Sequence, residues 1–249
     1  MRLLLHELRG QQRLFWRSRE LAFFTFLLPI VFFVLLGSVY GEDEIEGVRG
    51  SAYLLAGMLG YGVAATAFAG LSILTVLRRE EGILKRLRAT PLPPGTAIAA
   101  MVLSTLLVFV VEAALLVGLG RVFFDVPLPS RVGSLVLVLL LGGLCFAALG
   151  LALTVFVRSG EGSSAVVNAI YLPMTFISGS FFSPHSFPRA LELVGEALPL
   201  THFIRLVRHV LLEDGEVWGR AGSVAVLAGW GLGAAVVAVR GFRWGPREG

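Results

Sequence analysis

Residues 132–157 read VGSLVLVLLLGGLCFAALGLALTVFV, a run without a single charged side chain. A helix needs about 20 mostly apolar residues to cross the ~30 Å hydrocarbon core of a bilayer, so Val132–Val157 spells a membrane span. Working outward, the same reading holds for Leu21–Tyr40, Ser51–Leu77 and Ala97–Gly120 on one side, and for Ser163–Phe182 and Ala221–Val239 on the other. A soluble core cannot absorb six such segments in 249 residues. The sequence predicts an all-α integral membrane protein: one transmembrane domain over residues 1–249, with six spans.

Composition agrees. Hydrophobic residues make up 56% of the chain and mean hydropathy is +0.81, above the roughly 45–50% apolar share of soluble domains. One cysteine, Cys145, excludes an internal disulfide and a cysteine-built metal cluster.

Orientation follows from the basic residues. Arg2, Arg9, Arg13, Arg17 and Arg19 precede the first span, and Arg78, Arg79, Lys85, Arg86 and Arg88 lie between the second and third. With Arg158, Arg240, Arg243 and Arg247 they make fourteen on one side against seven on the other. The positive-inside rule then places both termini in the cytoplasm of a cell (inner) membrane protein. The net charge of +4 is accounted for by topology and implies no nucleic acid. Residues 1–20 interleave Leu3, Leu4, Leu8, Phe15 and Trp16 with Arg. They predict an amphipathic helix in the inner interface rather than a signal peptide, which would have a basic head, an apolar run and a cleavage site.

Catalytic motifs are missing from the sequence. There is no G-x-x-x-x-G-K-[ST], and the sole lysine, Lys85, sits between Leu84 and Arg86, so the chain is not expected to hydrolyse ATP. His6, His185, His202 and His209 show no H-E-x-x-H spacing, which argues against a zinc protease and against any resident metal. Ser178-Gly179-Ser180 with His185 or His202 is a poor serine-protease constellation, because both bases fall in an outer loop. No cofactor is expected in this chain.

Two segments carry more information. Residues 78–94 form a cytoplasmic loop in which Ile83, Leu84 and Leu87 share one helical face and Glu81 precedes Lys85 by four, the favourable order for a helical ion pair. Thr90-Pro91 and Pro93-Pro94 end the helix. A rigid charged helix over Glu80–Arg88 is predicted, although the residues alone leave open an ordinary positive-inside loop. From Asn168 to Leu212, Pro173 is expected to kink the fifth span and Ser178-Gly179-Ser180-Phe181-Phe182 to end it near the outer interface. Within 183–212, Ala190–Leu198 and Thr201–Leu212 read as short amphipathic helices that dip into the outer leaflet or lie on it.

With these residues in view, the chain resembles a permease subunit of the type-2 ABC transporter family. The resemblance rests on Glu80–Pro91 and on Leu172–Pro184 followed by Pro188 and Leu198-Pro-Leu-Thr-His, and it covers nearly the whole chain. His202 stands where a Tyr is common. The resemblance implies a subunit of an ATP-driven exporter of amphiphilic drugs, lipids or glycoconjugates. ATP and magnesium would be held by a separate ABC ATPase, and a second permease copy would complete twelve spans in the lipid bilayer. It implies that Glu80, Glu81, Gly82, Ile83, Leu84, Lys85, Arg86, Leu87, Thr90 and Pro91 couple to that ATPase. Glu81 and Arg86 would pair with it, while Ile83, Leu84 and Leu87 would anchor in it or in the bilayer interface. Spans two and five would line the path, with Asn168, Met174 and Phe176 as contacts. Pro173, Ser178, Gly179, Phe181, Phe182, Pro199 and Thr201 would belong to the path or an external gate.

Glu112 is the one acid clearly inside a span, where a carboxylate costs roughly 2.5–3.5 kcal/mol on insertion scales. It is expected to meet a hydroxyl such as Ser104 or Ser134, or a cationic substrate. Gly62-x-x-x-Thr66-x-x-x-Gly70 and Ala225-x-x-x-Gly229-x-x-x-Gly233 put small residues on one face of spans two and six. The competing reading is an ATP-independent secondary carrier or channel, for which the expected internal repeat is not found.

Overall fold

The computed structural model describes residues 2–157, 159–184 and 187–245. Arg158, His185 and Arg247, weighed above, lie outside them. The chain is almost entirely helical. An amphipathic helix α1 (Arg2–Arg17) buries no residue fully, and after a break at Ser18 the chain enters α2 (Arg19–Tyr40). A two-stranded hairpin follows, β1 (Glu44–Ile45) pairing antiparallel with β2 (Val48–Arg49). Its tip, Glu46-Gly47, has positive φ at both residues, the geometry of a type I′ turn.

Span two is the axis of the molecule. It runs through α3 (Gly50–Val63), a π-helical segment Ala64–Gly70 and α4 (Leu71–Glu80), and every residue of α3 is buried. Glycines let its neighbours approach. A β-carbon at Gly57 would lie 1.9 Å from the Ser180 carbonyl oxygen, and one at Gly60 would lie 2.5 Å from Ile204 Cγ1.

The chain reverses at Glu81-Gly82 into α5 (Ile83–Arg88), and Pro94 then opens the long α6 (Pro94–Phe124). Proline fits there because the first helical turn needs no N–H partner. Next come α7 (Val132–Leu153), α8 (Gly160–Ile177), α9 (Arg189–Ala197) and α10 (Pro199–Leu212). A short 3₁₀ turn at Val217–Arg220 leads into α11 (Ala221–Gly241).

Among the described residues, five helices are long and apolar enough to cross a membrane: Arg19–Tyr40, Gly50–Glu80, Pro94–Phe124, Val132–Leu153 and Val217–Gly241. The segment expected as a fifth of six spans is shorter than predicted. Its helix stops at Ile177 rather than Phe182, and its 18 residues rise about 27 Å. The polar opening Gly160-Glu161-Gly162-Ser163-Ser164 lowers its apolar character. Gly179, at φ +85°, turns the chain back at the end of this helix; the left-handed conformation suits glycine.

The two short helices behave differently from each other. Leu200, Phe203, Ile204, Leu206, Val207 and Val210 of α10 are wholly buried, so α10 is a wedge within the bundle. Phe203 sits against Gly142, where a β-carbon would come within 2.2 Å of its ring, and its ring centroid is 6.4 Å from those of both Phe109 and Phe146. In α9 only Gly195 is buried, and this helix lies outside the bundle.

Candidate functional site

The segment between spans two and three is built differently from the single helix predicted over Glu80–Arg88. Gly82 adopts φ +70° and breaks it, so Glu81 and Lys85 do not lie on one continuous helix. The three apolar residues also part company. Leu84 is 1% exposed and packs inside this chain's own bundle with Leu71, Met101, Ala147, Leu151 and Ala238. It therefore anchors α5 to its own protein, correcting the expectation that it anchors in a partner or in the bilayer. Ile83 stays exposed and Leu87 is half-buried. Thr90 closes the short helix, its hydroxyl donating to the Leu87 carbonyl at 2.6 Å. What remains outward is a mainly basic surface: Glu81, Lys85, Arg86, Arg88 and Pro91.

Just before this surface, Arg79 turns inward and Glu80, although exposed, reaches across to α8. The Arg79 guanidinium, 3% exposed, donates to the Thr154 carbonyl at 2.7 Å and the Val157 carbonyl at 2.6 Å. These lie at and beyond the C-terminal end of α7, where carbonyls lack helical partners. Glu80 Oε2 accepts from the Gly160 N–H at 2.7 Å, at the first turn of α8. An acid at a helix N-terminus is favoured by the exposed N–H groups and the helix dipole. Glu80, expected to couple to a partner, is exposed and also holds α8.

The amphipathic helix α1 is fastened nearby. Gln12 Nε2 donates to both the Ser104 carbonyl and hydroxyl at 2.9 Å, and Arg78 donates to Gln11 Oε1 at 2.7 Å. Trp16 stacks on Phe26 with ring centroids 5.6 Å apart. Sequence reasoning passed over Gln11 and Gln12, although they are the chain's sole glutamines.

Glu112 is 1% exposed and its partner is Thr66 of the π-helical segment, whose hydroxyl donates to Oε2 at 2.8 Å. Neither suggested hydroxyl fills that role, and Ser104 is engaged by Gln12. Gly62 leaves room for the same carboxylate, since a β-carbon there would lie 2.5 Å from Glu112 Oε1. That oxygen has no hydrogen-bond partner among the described residues. The small-residue pattern Gly62…Thr66 thus serves α6, whereas Gly229 and Gly233 meet nothing within 4 Å.

The other candidate path residues divide into three groups. Asn168, Pro173 and Phe176 lie on the exposed side of α8, and Met174 points into the core. An aromatic cluster adjoins this face: Phe181 is 5.0 Å from Phe176, 5.8 Å from Tyr61 and 5.9 Å from Phe32, and the Tyr61 and Tyr171 hydroxyls are 3.5 Å apart. Phe182 is exposed. Ser178, Gly179, Pro199 and Thr201 are buried. Thr201 donates to the Gly195 carbonyl at 2.6 Å, which ties α10 to α9. Glu112 lies on α6 and is not part of this face.

At the hairpin end, α10 is locked in place by polar contacts. Arg208 lies over the Tyr53 ring, donates to the Gly179 carbonyl at 2.8 Å and faces Glu46 at 3.9 Å. Ser183 donates to the same Glu46. Arg205 forks onto Glu196 of α9, and this pairing raises its pKa. His202, the departure from the common Tyr, contacts the Glu196 carbonyl at 2.9 Å and the Ser223 hydroxyl at 3.2 Å.

The family model described as ABC-2 type transporter matches residues 3–212. A putative transport permease, YvfS of Bacillus subtilis (strain 168), is 24% identical over 188 residues, covering 75% of this chain and 76% of its own. Nodulation protein J of Rhizobium meliloti (strain 1021) is 29% identical over 194 residues, 74% of this chain and 71% of its own. The daunorubicin resistance ABC transporter permease protein DrrB1 of Streptomyces coeruleorubidus is 26% identical over 216 residues, 81% of this chain and 75% of its own.

Proposed function

The chain belongs to the ABC-2 type transporter family of membrane permeases, and from that premise we propose that it is the membrane half of an ATP-driven exporter. A separate ABC ATPase holds ATP and magnesium and drives it. A second permease copy, identical or similar, completes the path. In this reading α8 also crosses the membrane, as the fifth of six spans, both termini and α5 face the cytoplasm, and the hairpin, α9 and α10 lie on the outer side.

One observation carries the reading: the surface of Glu81, Lys85, Arg86 and Arg88 is exposed while the backbone beneath it is nailed to the bundle by Leu84. A partner docking on such a surface moves the spans instead of bending a loose loop. The Arg-rich character suits an acidic cleft, and Glu81, with exposed Glu80 before it, adds opposite charge. For cargo, the exposed α8 face with Phe176 and the aromatic cluster around Phe181 favours an amphiphilic drug, lipid or glycoconjugate. A relative named for daunorubicin resistance supports the drug class.

The test is Glu81→Arg, co-expressed with the partner ATPase. The variant inserts normally and loses export; export at the wild-type level would exclude the coupling role.

A further inference from the structure

Arg79 and Glu80 form a joint between three helix ends. Arg79 closes the C-terminal end of α7 with two guanidinium bonds, and Glu80 closes the N-terminal turn of α8. Arg79 and Gly160 are buried while Glu80 keeps an exposed flank, and the joint is tight around Gly160: a β-carbon there would lie 1.9 Å from Glu80 Oε2 and 3.1 Å from Leu77 Cδ2. Thr154 and Ser163, on either side of the connection, are buried and bond back to Leu151 and Gly160. Immediately after Glu80 the chain turns at Gly82 into α5, whose Leu84 is buried in the same apolar cluster as Ala147, Leu151 and Ala152 of α7.

We propose that Arg79 and Glu80 are positioning residues through which displacement of α5 reaches α8. This rests on the reading that an ATPase drives α5. Hydrogen bonds with a charged partner are roughly twice as strong as neutral ones, and a fork that grips two carbonyls fixes orientation as well as distance. Breaking either grip would strand a buried charge or leave helix-end groups unpaired. The α4 end, α7 end and α8 start therefore move as one body. The motion is delivered to the helix whose outer face carries Asn168 and Phe176, and the joint touches neither cargo nor nucleotide.

The experiment uses full-length permease with its ATPase in lipid nanodiscs. Cys145→Ala removes the sole cysteine, and Val166→Cys on the exposed side of α8 carries a nitroxide. ATP with vanadate is the probe, and spectral change at residue 166 is the readout. In the otherwise native chain the label responds. Glu80→Ala and Gly160→Ala each reduce the response by about fivefold or more, the scale of a site-to-site coupling, while the ATPase remains bound and turns over. Combining them adds little, and Glu80→Gln, which keeps an acceptor for Gly160, retains the response. Gly160 lies outside the ATPase-facing surface, so its effect cannot come from lost partner contact. A merely structural role would lower yield and thermal stability without separating turnover from the α8 response. Equal responses in all variants, or a silent label in the native chain with ATPase bound, would overturn the joint alone. Failure of the native chain to bind any ATPase would overturn both the joint and the coupling reading.

Discussion

The Arg208 guanidinium lies 3.5 Å from the centroid of the Tyr53 ring. Through this contact α10 meets the first turns of span two, and the same guanidinium bonds the Gly179 carbonyl, which fixes the turn after α8. A desolvated cation–π contact contributes about 2 kcal/mol or more. Arg208→Ala is expected to cost about 2–4 kcal/mol, including the lost charged hydrogen bond. Arg208→Lys, lacking the planar fork, recovers less than half. Thermal unfolding of the detergent-solubilised chain checks this, and equal stability of the lysine variant would contradict it.

Glu112, Thr66 and Gly62 make a three-residue arrangement that a mutant cycle can isolate. Gly62→Ala drives a methyl into Glu112 Oε1 and should cost about 1–3 kcal/mol, as overpacking does. Glu112→Ala in the same chain should relieve most of that, leaving clear non-additivity. Glu112→Gln keeps an acceptor for the Thr66 hydroxyl and should lie within about 1 kcal/mol of the native chain. Additive losses from Gly62→Ala and Glu112→Ala would refute the contact.

Glycine position matters more than glycine number. Gly57→Ala sets a methyl against the Ser180 backbone, which cannot rotate away, and should cost about 3 kcal/mol, at the upper end of overpacking. Gly118→Ala, where nothing lies within 4 Å, should gain about 0.5–1 kcal/mol from helix propensity. The two variants are compared by thermal unfolding; similar effects would mean that Gly57 is not a close-approach site.

Acid should loosen the link from α10 to α11 late. Glu213 accepts from His209 at 2.6 Å and from Arg220 at 3.0 Å, and these bonds hold its carboxyl below the usual 4.5. A carboxyl whose pKa is lower in the folded chain stabilises fully above its unfolded value, and the contribution disappears as pH falls through the folded value. Amide hydrogen exchange within residues 213–220, corrected for its intrinsic pH dependence, should stay slow down to pH 4.5 and accelerate below it. Glu213→Gln should abolish that acceleration. Exchange already rising as pH falls through neutrality would point to another group.

Much of the fold could be read from local pattern. Apolar length marked the five candidate spans, and amphipathic pattern marked α10 to within two residues of its start at Pro199, because both signals act within a few residues. The joint could not be read. Arg79 looks like its neighbours in a basic loop, and its partners are carbonyls of Thr154 and Val157, brought near only by packing. Thr66 resembles a small packing residue until α6 places Glu112 beside it. The burial of Leu84 depended on a break at Gly82 that helical periodicity over Glu80–Arg88 concealed. Gln11 and Gln12 did carry a signal, as lone amides in a basic amphipathic helix.

Cysteine accessibility at Lys85 tests the central claim most directly. In Cys145→Ala, Lys85→Cys chain co-expressed with its ATPase, a membrane-impermeant maleimide should label residue 85 in inside-out vesicles stripped of the ATPase. Rebinding the ATPase should protect it, and intact cells should remain unlabelled. Labelling from the outside of intact cells, or labelling that the bound ATPase does not change, would contradict the account.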